Sequence, residues 1–102
     1  MGVGLRVEYA SDELDRLARD ADYRPPKWGP DVIRAYRKKH QLIEAAVDER
    51  DLRAIRSLRL KQLNGDREGT SSIRLNDQFR LILNFKNEGE RVAVILELVD
   101  YH

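Results

Sequence analysis

Leu5-Arg6-Val7-Glu8-Tyr9 alternates apolar and polar residues, the period of a half-buried strand. Residues Met1 to Gly4 before it read as a flexible end. Ser11 then opens a helix: Ser-Asp-Glu-Leu gives a capping side chain and acids in the first turn, where the helix dipole favours them. Leu14, Leu17 and Ala21 fall on one side of that helix. Tyr23 to Pro30, Y-R-P-P-K-W-G-P, holds all three prolines and ends it. Trp28 is expected to plug the core rather than stack on a base. Asp31 to Val47 is the longest helix, with Pro30 suited to its first turn. Its apolar stripe is Val32, Ile33, Tyr36, Ile43 and Val47, and His40 lies on the same line, where a packed, hydrogen-bonded ring is expected. Asp48 to Ser57 reads as a short helical turn or loop, and strand pattern resumes from Leu58 to Leu63 before the turn Asn64-Gly65-Asp66. Ser71 to Leu75 and Phe79 to Phe85 form a hairpin, and Arg91 to Val99 is a last strand rich in Val, Ile and Leu.

The hairpin is the most informative stretch. A two-residue loop at Asn76-Asp77 would set Ile73 opposite Arg80 and mix charge with apolar residues on both faces. A three-residue loop, Asn76 to Gln78, sets Ile73 opposite Leu81 and Leu75 opposite Phe79, leaving one face wholly apolar. Burial of one face fixes register, so the second pairing is expected. It places Arg74 and Arg80 directly opposite each other on the other face. Like charges there are destabilising unless an anion lies beside them, which marks the pair as half of a phosphate site. A four-residue turn at Asn87 to Glu90 would pair Phe85 with Val92, Leu83 with Val94, Leu81 with Leu96 and Phe79 with Leu98. That register sets Arg80 across from Glu97. The fold class expected is α+β, in the order β-α-α-β-β-β, with two N-terminal helices packed on one face of a mainly antiparallel sheet.

At 102 residues the chain, 1-102, is read as a single domain with one modest core. Charged residues make up 36% of it, and no apolar run is long enough to span a bilayer or serve as a signal peptide. The absence of Cys excludes disulfides and thiolate metal sites and fits a reducing, cytoplasmic location. The net charge is only +1, but its distribution is uneven. From Arg53 to Arg80 seven cations face three anions, whereas from Leu81 onward two cations face four anions. No metal site is expected, because His40 and His102 are the only histidines and neither has ligand-like carboxylate spacing. No cofactor is implied: there is no Gly-rich phosphate loop and no nucleophilic serine motif.

Three motifs in order, L-N-G-D-R-E-G, S-I-R-L-N-D-Q-F-R and a terminal V-D-Y-H, resemble the HigB-like branch of the RelE superfamily of toxins from type II toxin–antitoxin systems. The resemblance is strongest over residues 49 to 102. It implies a microbial-ribonuclease-like fold, cleavage of messenger RNA in the ribosomal decoding site, and a HigA-like helix-turn-helix antitoxin as partner. By position, Arg80 matches the arginine placed on the scissile phosphate and Arg74 a second basic motif position. Asp100, Tyr101 and His102 match the terminal D-Y-H of the family's active site. One departure counts: Asn64 stands where many members have a catalytic Lys, and Lys61 stands where they often have His.

These implied roles agree with the chemistry of metal-free RNA cleavage. A base takes the 2′-hydroxyl proton, cations stabilise the crowded phosphorane, and an acid protonates the leaving 5′-oxygen. Arg80 and Arg74 suit the cationic role, with Lys61 and Arg67 as further RNA contacts. His102 is the natural proton carrier, Tyr101 could stack on a base, and Asp100 or Glu97 could orient the arginines. Arg34, Arg37, Lys38 and Lys39 on the long helix read as a solvated face able to meet ribosomal RNA. The second reading, from Asn64 and the low net charge, is a weakly active or inactive relative that binds its antitoxin and helps repress their operon.

Overall fold

A computed structural model of the chain describes residues 4–65 and 69–100. The expected sites Arg67, Tyr101 and His102 lie outside the described residues. The element order is β1 (Arg6–Tyr9), α1 (Asp12–Arg19), α2 (Pro30–Ala45), α3 (Glu49–Ala54), a 3-10 turn (Arg56–Leu58), β2 (Lys61–Gln62), β3 (Ser71–Arg74), β4 (Phe79–Asn87) and β5 (Arg91–Asp100). The fold is α+β, as expected.

The helix starts follow local signals, a side-chain cap for α1 and a first-turn proline for α2. The Ser11 hydroxyl accepts from the Leu14 backbone N–H at 3.2 Å, and Asp12, Glu13 and Asp15 follow in the first turn of α1. Pro30 sits in the first turn of α2. That helix stops at Ala45, two residues before the expected end. Ala46 is already extended, and Val47 is exposed rather than on the stripe. The end of α1 is tied to α2 by Arg37, whose guanidinium donates to the carbonyls of Leu17, Asp20 and Tyr23 at 3.0, 2.9 and 2.9 Å. Helix-end carbonyls lack intrahelical partners, and a fork of donors satisfies them. Arg37 is therefore committed to the fold and not to an RNA-facing surface.

Gly4 is not a loose end. A Cβ there would lie 2.0 Å from the Glu44 carbonyl oxygen, and the next residue, Leu5, donates its N–H to Ala46 at 2.6 Å. Only glycine allows the chain that close to the end of α2.

The sheet has five strands in the order β1-β5-β4-β3-β2. β1 lies parallel to β5, with Val7 opposite Ala93 and Tyr9 opposite Ile95, and the other pairs are antiparallel. The helices cover one face. Leu14, Leu17, Ile33, Tyr36, Ile43 and Leu52 meet Ile73, Leu81, Leu83, Ala93 and Ile95 in one core, with Trp28 partly buried against it. His40 is buried too, its Nε2 2.5 Å from the Tyr9 hydroxyl and its Nδ1 3.3 Å from Glu44.

Two strand expectations are corrected. Leu58 does not begin a strand: it closes the 3-10 turn fully buried, and β2 spans only Lys61–Gln62. The second hairpin also closes on a shorter loop, with Asn87 opposite Arg91 and Gly89 at φ +74°. Phe85 consequently faces Ala93 and Leu83 faces Ile95. A bulge then shifts Leu81 to Leu98 and Arg80 to Val99, while Glu97 pairs with Ile82. Val92 to Leu96 is a continuous apolar run, so alternation could not choose between registers there.

Two stability outcomes are expected. Arg37→Ala should cost about 2 kcal/mol in chemical denaturation, because charged hydrogen bonds to three carbonyls are lost together. Burial pushes the His40 pKa down, against a smaller opposing pull from Glu44. The unfolded chain therefore takes up that proton first. The stability contributed by the neutral ring is full above about pH 6.5 and is lost as pH falls through the lower folded value. Denaturation midpoints between pH 7.5 and 5 should fall in the native chain and fall less in His40→Gln; equal slopes would contradict this.

Candidate phosphate-binding site

Register on the hairpin follows from its turn. The Asn76 side-chain oxygen accepts the backbone N–H groups of Gln78 and Phe79 at 2.9 and 2.8 Å, and Leu75 donates its N–H to the Phe79 carbonyl at 3.0 Å. This closes a three-residue loop with Ile73 opposite Leu81 and Arg74 opposite Arg80. The two arginines meet on the face away from the helices. Lys61 is opposite Ser72 and so shares that face from β2.

The two guanidinium groups are held differently. Arg80 donates through Nε to the Ser72 hydroxyl at 3.1 Å and through Nη2 to the Arg59 carbonyl at 3.0 Å. Ser72 is fully buried, so its hydroxyl is a fixed point. Arg74 pairs with Asp77 in the loop. Around them is an open cavity of about 330 Å³ lined by Arg59, Arg74, Asn76, Asp77 and Arg80. Three of its five lining residues are arginines, and Asp77 is the carboxylate among them. Lys39 of α2 has its pKa lowered by burial first, and then by the positive charges of Lys38 and Arg74, so cation density extends beyond the cavity rim.

Such a site can take an anion with several acceptor oxygens. A planar guanidinium offers a fork of N–H donors that matches two phosphate oxygens, and arginine stays charged at any physiological pH. The same donors can follow a phosphate into a five-coordinate transition state, where more negative charge gathers on the oxygens.

The other sequence-derived positions divide. Asp100 pairs with Phe79 and so lies on the helix side of the sheet, where its carboxylate accepts from the Gln78 side chain at 2.9 Å. It does not line the arginine cavity. Glu97 is across from Ile82 rather than Arg80 because the shorter turn and the bulge each shift the register by one residue. His40 is in the core, away from the cavity, and Trp28 carries Lys27 over its ring at 4.6 Å. Among the described residues no group of three His, Asp or Glu side chains could hold a metal ion, and no helix is long and apolar enough to cross a membrane. Arg59 and Ser72 were not singled out by pattern. Nothing in the sequence marks an arginine that takes a left-handed backbone, or a serine whose hydroxyl turns toward an arginine on the neighbouring strand.

A family model described as RelE-like toxin of type II toxin–antitoxin system HigB matches residues 7–102. A search of curated proteins returns no match. Among solved structures, a YoeB/ParE toxin from Agrobacterium tumefaciens superposes with a TM-score of 0.55 at 13% identity, over 96% of this chain and 100% of that one. A chain of the RelBE2 toxin–antitoxin complex from Mycobacterium tuberculosis gives a TM-score of 0.51 at 19% identity, over 97% and 100%. At these identities the superpositions speak for the fold.

Inorganic phosphate should bind this cavity weakly. Titration followed by arginine Nε–H signals should move Arg80 and Arg74 together in the native chain, and Arg74→Ala should weaken the response several-fold. A response confined to Arg34 or Arg37 on α2 would count against the site.

Proposed function

Because the chain belongs to the HigB-like family of RelE-like toxins of type II toxin–antitoxin systems, we propose that it is a ribosome-dependent endoribonuclease that cuts messenger RNA in the decoding site. The observation that carries this reading is the cross-strand pair Arg74 and Arg80 on an open cavity roomy enough for a phosphate group. In the reaction proposed, the 2′-oxygen attacks phosphorus and the bond to the 5′-oxygen breaks. One product ends in a 2′,3′-cyclic phosphate and the other in a 5′-hydroxyl. Arg80 and Arg74 stabilise the charge on the non-bridging oxygens, and Lys61 and Arg67 are further RNA contacts. His102 carries the proton, and Tyr101 stacks against a base. Asp100, bonded to Gln78, serves by anchoring the strand from which Tyr101 and His102 follow.

The partner proposed is a HigA-like helix-turn-helix antitoxin in the cytoplasm. The low net charge supports a toxin that relies on the ribosome to present its substrate, since tight binding of free RNA needs a larger cationic excess. Asn64, at the position of the family's catalytic lysine, favours a second reading, an antitoxin-binding co-repressor with little or no nuclease activity.

Primer extension on ribosome-bound messenger tests the two. The purified chain should yield 2′,3′-cyclic phosphate ends. Arg80→Ala should reduce the rate on the order of 10²-fold, equivalent to about 3 kcal/mol of lost transition-state stabilisation. Growing cells expressing the native chain should stop dividing, and those expressing Arg80→Ala should not. Intact messenger together with normal antitoxin binding would favour the co-repressor and reject the nuclease.

A further inference from the structure

Arg59 reaches the cavity from an element that the reaction above does not use. It follows the 3-10 turn Arg56–Leu58, and its backbone is left-handed, φ 48° and ψ 50°. Among the described residues it is the one non-glycine with positive φ. A residue with a Cβ is disfavoured there, and such positions gather at functional sites. Here the conformation has two visible consequences. The Arg59 carbonyl receives Arg80 Nη2, and the Arg59 side chain lines the cavity beside Arg74 and Arg80. Arg74 has Asp77 as a partner, whereas the exposed Arg59 guanidinium pairs with no carboxylate among the described residues.

A phosphodiester carries two non-bridging oxygens. Two guanidinium forks, from Arg74 and Arg80, are enough to serve one such group. A third fork on the same cavity therefore has no place on that phosphate and fits the next one along a strand. We propose that Arg59 has two roles: its side chain binds the phosphate adjacent to the one held by Arg74 and Arg80 in single-stranded RNA, and its carbonyl, with the buried Ser72 hydroxyl, aims Arg80. The first role makes Arg59 a substrate contact, and the second makes Arg59 and Ser72 positioning residues. The choice of RNA as ligand rests on the nuclease reading above, but the binding geometry does not depend on cleavage.

The experiment uses the full chain and a fluorescent 2′-O-methyl RNA hexanucleotide, which lacks the attacking hydroxyl and stays intact. Affinity is measured as a function of salt, starting at low ionic strength. Each phosphate contact in a single strand adds about 0.7 to the slope of log K against log salt. Arg59→Gly accepts the left-handed backbone, so the carbonyl stays with Arg80 while the charge is removed. It should weaken binding three- to tenfold and flatten the slope by about 0.7. Arg59→Gln, which removes the charge but keeps a long side chain, should give the same change of slope. Ser72→Ala leaves the charge count intact. Its binding slope should match the native chain while cleavage of ribosome-bound messenger falls at least tenfold, a split that simple loss of fold would not produce. Thermal melts of all three confirm folded protein. A native affinity and slope in both Arg59 variants would overturn the phosphate contact, and native cleavage by Ser72→Ala would overturn the aiming role. If the native chain leaves messenger intact while the Arg59 variants flatten the slope, the nuclease reading fails and the phosphate contact stands.

Discussion

Two arginines directly across a strand pair repel each other, and the structure tolerates this because the opposite face decides the register. Ile73 against Leu81 and Ser71 against Leu83 share the ladder with Arg74 against Arg80, so the chain cannot keep one set and discard the other. Ile73, Leu81 and Leu83 are fully buried, each worth about 2 kcal/mol relative to exposure. Repulsion between partly solvated cations is on the order of 1 kcal/mol or less. The apolar face wins by several-fold, and a one-residue slip would send that face to solvent. The like-charge pair is thus imposed by the core. Ser72 and the Arg59 carbonyl on one side, and Asp77 on the other, give each guanidinium an acceptor.

The face away from the helices is divided along its width. Toward β1, Arg6, Glu8, Lys86 and Glu90 form a chain of ion pairs in which cations and acids balance. Arg6 and Lys86 flank Val92 in register, and their aliphatic stems account for a valine with no exposure on that side. Toward β3 the balance is lost: Lys61, Arg59, Arg74 and Arg80 face Asp77. A net charge of +1 hides this gradient, because the total sums 19 basic and 18 acidic residues spread along the whole chain. Local excess, not the sum, is what a phosphate meets within a Debye length of about 10 Å.

Much of this was legible from pattern. The caps at Ser11 and Pro30, the buried His40 and the hairpin with its arginine pair all follow from rules that act within a few residues. What pattern missed has physical reasons. The run Val92 to Leu96 lacks alternation, so its pairing with β4 was set by Gly89 and a bulge, and Glu97 moved away from Arg80 as a result. The parallel docking of β1 on β5 joins the two ends of the chain, which no local period can announce. Leu58 looked like the start of a strand because burial in a 3-10 turn and burial in a strand use the same residue type. Arg37 carried the signature of a solvated helix face, yet its length let it cap a neighbouring helix three ways. At the site, opposition of Arg74 and Arg80 was readable. The supports from Ser72 and Arg59 were not, since they arise where β2 and the 3-10 turn come alongside β3.

A site built from arginines also constrains how its chemistry can respond to pH. Guanidinium groups stay protonated far above neutrality, so the charge that the proposed site offers a phosphate does not change across the range in which cells live. The electrostatic part of the proposed site is therefore fixed, and in the reaction proposed any dependence on pH between 5 and 8 enters through a separate proton carrier. His40, whose pKa burial pushes down, lies in the core on the other side of the sheet, where its protonation acts on stability. In the reaction proposed, phosphate binding and proton transfer fall to different parts of the chain, and a variant that changes one need not change the other.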